Sequence, residues 1–314
     1  MVYFLTRRLT PKTMKKLLLF VFFGLLAAAC AGRDGSKTLI LGIMPDVDST
    51  PFVIAEKNGY YAAPIEIVNF KSAKDRDSAL QSGQLDGVIT DMLAVFFANE
   101  GGIRLIIIAK SIGDIKLLAS QNSGINNMKD LTGKTIGLSS NTIMEYTADK
   151  MLESTGVSPS EIRKTAIPNI PTRLEMLKNG KIDVTVLPEP LATLAEKDGA
   201  VVLCSLDSMQ DMGIGVIAFT EKALKNKRAQ IKNLLAGYDQ AVDYLSSEPK
   251  SSYVDFVIQK QGFPEKLSNS IKFPKYIKTE IPSEKNFNLA LKWLKDKKLI
   301  KNNFEYGAIV DKIF

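Results

Sequence analysis

From Thr38 onward, short apolar runs alternate with longer segments whose apolar residues recur every three or four positions, the alternation expected of βαβ units built on a largely parallel sheet. A first series predicts strands over 39–44, 65–70, 85–90 and 104–109. Between them, Thr50 caps a helix that Pro51 opens and Gly59 ends, Ser72 with Asp75 starts a helix that stops near Gly83, and Asp91 opens a third. After a turn-rich stretch over 122–133, a second series predicts strands over 135–138, 165–167, 182–187 and 201–203. Its helices run over 143–154, closed by Gly156, from Pro171 to Gly180, and over 191–197. One more strand follows over 216–220, and then the pattern is helical only. Leu224, Ile231, Leu234, Leu235, Tyr238, Val242 and Leu245 share a helix face, as do Leu289, Trp293 and Leu294 later.

The two series repeat each other. Leu80-Gln81-Ser82-Gly83-Gln84-Leu85-Asp86 matches Leu177-Lys178-Asn179-Gly180-Lys181-Ile182-Asp183 at an offset of 97, and Leu41-Gly42-Ile43 matches Ile136-Gly137-Leu138 at 95. A repeat of this kind implies two similar lobes more than one continuous sheet. The closing helices need a sheet face to cover, which the first lobe has to spare. The chain is therefore expected to cross near 121 and return near 215, giving lobe 1 as 38–121 with 215–314, lobe 2 as 122–214, and two crossing strands as the hinge.

The segment before Thr38 reads as an export signal. Lys15 and Lys16 precede an apolar run of 13 residues over 17–29, which suits a secretory signal, whereas a membrane-spanning helix needs about 20. Leu26-Ala27-Ala28-Ala29-Cys30 resembles the lipobox of bacterial lipoproteins, whose Cys is acylated and becomes the first mature residue, although that motif prefers Leu where Ala27 stands. The expectation is a signal peptide over 1–29, a tether over 30–37, and lipid attachment at Cys30. It places the protein outside the cytoplasm, anchored to the membrane and facing the periplasm or the cell exterior. Met14, directly before Lys15 and Lys16, would make a compact signal by itself, so Met1 and Met14 both stand as starts.

This signal also changes how the charge is read. The formal net charge is +7, but Arg7, Arg8, Lys12, Lys15 and Lys16 lie in residues 1–29 with no acid among them, leaving +2 from Cys30 onward. A nearly neutral body without an arginine stripe gives no reason to expect a nucleic-acid partner. Lys292, Lys295, Lys297, Lys298 and Lys301 read as a solvated helix face. The second cysteine, Cys204, lies in the apolar run 201–206 and reads as a small core residue. The chain has no histidine, which excludes Ser-His-Asp triads, His-ligated metals and His general bases. Neither catalysis nor a cofactor is expected.

In open α/β sheets, ligands bind beyond the carboxyl ends of the strands, where helix amino termini present unpaired N–H groups. That rule selects loops over 45–50, 70–72, 90–92, 139–142, 168–172 and 188–190. The candidate ligand-binding residues are Asp46, Ser49, Thr50, Phe70, Thr90, Asp91, Ser139, Ser140, Asn141, Thr142, Asn169 and Glu189, with Tyr146 as a ring that could stack on a heterocycle. Four hydrogen-bonding side chains in a row at 139–142 suit a polar solute, while one of them would suffice to cap a helix. Asp46, Asp48, Asp91, Glu145 and Glu189 together disfavour a small dianion and favour a solute with amino groups or a cationic ring.

Several stretches carry a family resemblance. They are Ala55-Glu56-Lys57-Asn58-Gly59-Tyr60-Tyr61, Ile65-Glu66-Ile67, Ala79 through Gly87, Asn127-Met128-Lys129-Asp130-Leu131-Thr132-Gly133-Lys134-Thr135-Ile136-Gly137, and Leu177 to Asp183 followed by Leu187-Pro188-Glu189-Pro190. In that order and spacing, over residues 38 to 300, they resemble the solute-binding proteins of the nitrate, sulfonate, taurine and thiamine-precursor group of ABC importers. The resemblance implies the type II periplasmic-binding-protein fold, in which two similar α/β lobes are joined by two crossing strands. It also implies capture of a small polar or heterocyclic solute between the lobes, with delivery to an ABC permease whose ATPase is another chain. A pyrimidine-like solute stands slightly ahead of a sulfonate or nitrate, because no basic residue sits at 139–142. Two alternatives stay open: a surface adhesin or antigen that transports nothing, and a carboxylate-based lyase on the same fold. A polar cleft of ligand size would argue against the adhesin.

Overall fold

The computed structural model describes residues 38–209 and 212–313. The expected signal peptide, the tether and Cys30 lie outside the described residues. Two five-stranded mixed sheets form the frame. The first takes β1 (Leu39–Ile43), β2 (Ile65–Asn69), β3 (Gly87–Asp91), β4 (Leu105–Lys110) and β10 (Gly215–Thr220) in the order β2-β1-β3-β10-β4. The second takes β5 (Ile115–Ala119), β6 (Thr135–Leu138), β7 (Arg163–Ala166), β8 (Val184–Pro188) and β9 (Val201–Ser205) in the order β7-β6-β8-β5-β9. In each sheet a single antiparallel strand comes from the far side of a crossover: β10 lies between β3 and β4, and β5 lies between β8 and β9.

The helices follow the capping and stop signals closely. They are α1 (Thr50–Lys57), α2 (Ala73–Gln81), α3 (Met92–Glu100), α4 (Ile143–Ser154), α5 (Ile170–Lys178), α6 (Leu191–Lys197), α7 (Glu221–Asn226), α8 (Arg228–Ser247), α9 (Val254–Gln261), α10 (Glu284–Asp296) and α11 (Tyr306–Ile309). Side chains on the first sheet alternate between two cores, as strand geometry requires. Ile106, Ile108, Ile217 and Phe219 face one side with α1, α8 and α9, while Leu105, Ile107, Val216 and Ala218 face the other with α3 and α10. The closing helices cover the first lobe: α8 packs on α1 and α10 on α3, with Phe96 edge-on to Phe287 at 4.8 Å.

One boundary is corrected. The crossing expected near 121 occurs at 111–114, because Ile115–Ala119 is already a strand of the second sheet, hydrogen-bonded to β8 and β9. The run conceals a buried charge at Lys116, which closes an ion pair with Glu189 (2.7 Å) from the neighbouring strand end.

The repeat is preserved at atomic detail. Asp86 Oδ2 accepts the Ile40 amide (2.8 Å) and Asp183 Oδ2 accepts the Thr135 amide (3.3 Å), so the same carboxylate ties the start of the matching strand in each lobe, β1 in one and β6 in the other. Gly42 and Gly137 leave room for the residue before that carboxylate. A Cβ at either position would lie 2.6 Å from Leu85 Cδ1 or 2.7 Å from Ile182 Cδ1.

Candidate functional site

A cleft of about 1070 Å³ opens between the carboxyl ends of the two sheets. Its first-lobe wall is built by the turns after β1 and β3 and by the start of α2. Asp46 is half-buried, and its Oδ1 is shielded and lacks a hydrogen-bond partner. Burial, and then the neighbouring Asp48 carboxylate, push the Asp46 carboxyl well above the usual range, against the opposing pull of Arg76. Asp91 caps α3 by accepting the Ala94 amide (3.0 Å), and burial pushes it up to about 6. Arg76 holds this wall in shape. Its Nη2 donates to Thr90 Oγ1 (2.7 Å), its Nη1 to the Ile89 carbonyl (3.0 Å) and its Nε to Asp77 (2.9 Å).

The second-lobe wall is neutral at its centre. Ser139, Ser140, Asn141 and Thr142 line the cleft, and Thr142 Oγ1 accepts the Met144 amide (3.2 Å) as the cap of α4. Behind Ser139 lies Arg173, which is fully buried. Its Nη1 donates to Ser139 Oγ (2.7 Å) and to the Ile167 carbonyl (2.8 Å), while Nε and Nη2 have no partner. Burial lowers this guanidinium to about 10. Glu189 completes the wall with both carboxylate oxygens committed, one to Lys116 and one to the Thr193 amide (3.0 Å). Met144, Met209 and Met212 add soft apolar surface to the cleft from the second lobe, whose core they pack on.

Eight of the candidate residues thus come together at the cleft: Asp46, Thr90, Asp91, Ser139, Ser140, Asn141, Thr142 and Glu189. Five do not. Ser49 is fully buried, its hydroxyl lying within hydrogen-bond reach of the Asp46 carbonyl (2.8 Å) and Gln261 Oε1 (2.9 Å), and Thr50 is fully buried beside it. Phe70 packs against the first lobe's core. Asn169 is an exposed cap, accepting the Thr172 amide (3.0 Å). Tyr146 is buried edge-on against Trp293 of the other lobe, with ring centroids 5.7 Å apart. Sequence reasoning passed over Arg76 and Arg173, although both occupy the same place in the repeat, 97 residues apart. Among the described residues, no cluster of three or more His, Cys, Asp or Glu could hold a metal ion, and no helix is long and apolar enough to cross a membrane.

The wall chemistry is therefore unequal. Eight carboxylates and four cations line the cleft, and Asp46 and Asp48 face each other where amino groups of a solute could satisfy them.

Residues 46–252 match the NMT1/THI5-like family. A protein of Brachyspira hyodysenteriae described as an ABC transporter periplasmic binding protein is 27% identical over 265 residues, covering 77% of this chain and 76% of the relative. Among solved structures, the ligand-binding component of an ABC-type import system from Staphylococcus aureus superposes with a TM-score of 0.73 at 15% identity, over 88% of this chain and 97% of that one. The alkanesulfonate-binding protein of Xanthomonas axonopodis pv. citri, bound to MOPS, gives 0.73 at 16% identity, over 88% and 98%.

Proposed function

This chain belongs to the NMT1/THI5-like family and has the two-lobed fold of type II solute-binding proteins, and from that premise we propose that it captures a small amino-bearing nitrogen heterocycle and delivers it to an ABC importer. The observation that carries the solute class is the Asp46 and Asp48 carboxyl pair on the cleft wall, where burial and Asp48 raise the Asp46 carboxyl and its Oδ1 lacks a hydrogen-bond partner. Paired carboxyl groups accept from the amino group of a solute, and one that holds a proton also donates to a ring nitrogen. An aminopyrimidine edge presents that pair of complements, and a sulfonate or nitrate presents acceptors only. The methionines that line the cleft suit a flat, partly apolar ring.

A ligand-sized cleft with eight carboxylates and four cations in its lining speaks against an adhesin that carries nothing. The permease and the ATPase are separate chains, the lobes close on the solute about the two crossings, and Cys30 carries the lipid that keeps the protein at the membrane. Two experiments test this reading. Mass spectrometry of small molecules released by denaturing the purified protein should find a nitrogen heterocycle. Titration calorimetry should then show heat with 4-amino-2-methylpyrimidine and none with an alkanesulfonate or nitrate. A released sulfonate, or binding of the anions alone, overturns the solute class. Acylation that persists after Cys30→Ser overturns the anchor.

A further inference from the structure

We infer that Glu145 is a positioning residue that ties the shape of the solute-facing turn at Asn141 to contact between the two lobes. The role assigned to that turn rests on the reading of the cleft as the solute site.

Helix α4 belongs to the second lobe, packing on β5 and β8, and α10 belongs to the first, packing on α3. At one edge of the cleft they meet. Tyr146 is only 1% exposed because Trp293 covers it. Trp293 Nε1 donates to Asp149 Oδ2 (3.0 Å), and Lys297 Nζ reaches Glu145 Oε1 while lying 4.6 Å from the Trp293 ring centre. Lys164, from β7 of the second lobe, donates to both Glu145 and Asp149. Two buried carboxylates are thereby balanced by two ammonium groups, and one of those ammonium groups is supplied across the gap. Lys297 thus departs from the solvated helix face expected for its lysine run.

The other oxygen of Glu145 does different work. Oε2 accepts the amide of Asn141 (2.7 Å), and Asn141 has φ of 60°, in the left-handed region. Asn is the non-glycine residue that enters this region most readily, and the Glu145 carboxylate fixes the turn there by accepting the Asn141 amide. Burial would raise this carboxyl, but the Asn141 amide, Lys297 and Lys164 together outweigh burial and keep it below its ordinary value. When the lobes part, Lys297 and Trp293 leave together. Glu145 and Asp149, one helical turn apart, then face each other with Lys164 alone between them, and like charges at that spacing repel. The carboxylate that swings toward water releases the Asn141 amide, and the turn relaxes. The turn therefore keeps this shape only while the lobes touch, and by linkage whatever stabilises the turn favours closure.

The test needs no solute. Full-length protein, stripped of small molecules by unfolding and refolding, is compared with Lys297→Met, Lys297→Arg and Trp293→Phe by residue-resolved amide exchange. Lys297 lies in the other lobe, so a merely local salt cluster on α4 would leave Asn141 unmoved. Lys297→Met should speed exchange of the Asn141 amide by roughly tenfold, Trp293→Phe by less, and Lys297→Arg should restore the parental rate. Trp293 is the chain's single tryptophan, so acrylamide quenching of its fluorescence reports independently how far the lobes have parted. Parental exchange at Asn141 in Lys297→Met overturns the inference whatever Trp293 reports. Because no solute enters the measurement, its failure would leave the proposed solute class standing, and the reverse also holds.

Discussion

Helix α2 of the first lobe and helix α5 of the second hold matching residues 97 positions apart, and the two sets have been put to different uses. Ser72 and Asn169 cap the two helices, Leu80 and Leu177 anchor them, and Asp86 and Asp183 tie down the neighbouring strands. These pairs do the same structural work. The arginines do not. Arg76 faces the cleft, fully engaged with Thr90, Ile89 and Asp77, whereas Arg173 lies behind the cleft wall with no acid beside it and two nitrogens unpartnered. Residues far from the mouth keep the repeat because they fix strand and helix packing. The arginines diverge where the two cleft walls differ in charge and in partners.

The largest difference is expected at the arginines. Arg76→Met strips partners from Thr90 and Ile89 and leaves Asp77 without its cation, which should cost about 3 to 4 kcal/mol. Arg173→Met also loses two hydrogen bonds, but it removes a buried charge that nothing balances, so its net cost should stay within about 1 kcal/mol. Urea unfolding of both variants at neutral pH measures the gap, and equal losses would mean that Arg173 is balanced in a way the contacts do not reveal.

The strand ends give the next contrast, because β3 ends on Asp91 and β8, at the same offset, on Pro188. Of these two strand-end residues only Asp91 is titratable. Asp91 has a folded pKa of about 6, against about 3.9 for an unfolded Asp, so between pH 4 and 6 the folded state binds the extra proton. Stability contributed by that proton is present below pH 4 and lost as pH rises through 6, by about 2 to 3 kcal/mol. Asn caps helices as well as Asp does. Asp91→Asn should therefore gain on the parent by that amount between pH 4 and pH 7 in denaturant melts, and a pH-independent difference would refute the shift.

Much of this was legible in the sequence, for reasons that also explain the gaps. The Pro, Gly and Asp signals at Pro51, Gly180 and Asp91 are local, and they placed helices within a residue or two. The loop rule collected eight residues that do line the cleft because it follows from sheet geometry alone. β5 was missed because a strand carrying Lys116 becomes plausible only once Glu189, 73 positions later, is known to neutralise it. Tyr146 was misplaced for a similar reason, since its cover is Trp293 from the other lobe. An arginine on a helix reads as solvated, and only the repeat, extended from Leu80 and Leu177 back to Arg76 and Arg173, could have marked the pair.

The carboxylates that tie the strands offer a smaller test of the conserved half of the repeat. Asp86 accepts the Ile40 amide and also pairs with Lys227 (2.6 Å), whereas Asp183 has a longer bond to Thr135. Asp86→Ala should cost about 2 kcal/mol and Asp183→Ala about 1, read from urea midpoints. The reverse order would show that the ion pair with Lys227 contributes nothing.

The smallest effect concerns the two caps, and it bears most directly on whether position at the mouth implies a role in binding. Ser72 lines the cleft and Asn169 does not, yet each accepts an amide from the third residue of its helix, Asp75 in one lobe and Thr172 in the other. Each also bonds to that residue's side chain, through Ser72 Oγ to Asp75 and from Thr172 Oγ1 to Asn169. If capping is all that either does for stability, Ser72→Ala and Asn169→Ala should each cost about 1 kcal/mol, and the exchanges Ser72→Asn and Asn169→Ser should be neutral within about 0.3 kcal/mol, because Ser and Asn rank alike at this position. Thermal melts of the four variants decide it. A Ser72→Asn protein that melts clearly lower while Asn169→Ser does not would mean that the cleft wall constrains side-chain size at 72, and that this pair too has begun to diverge toward the solute.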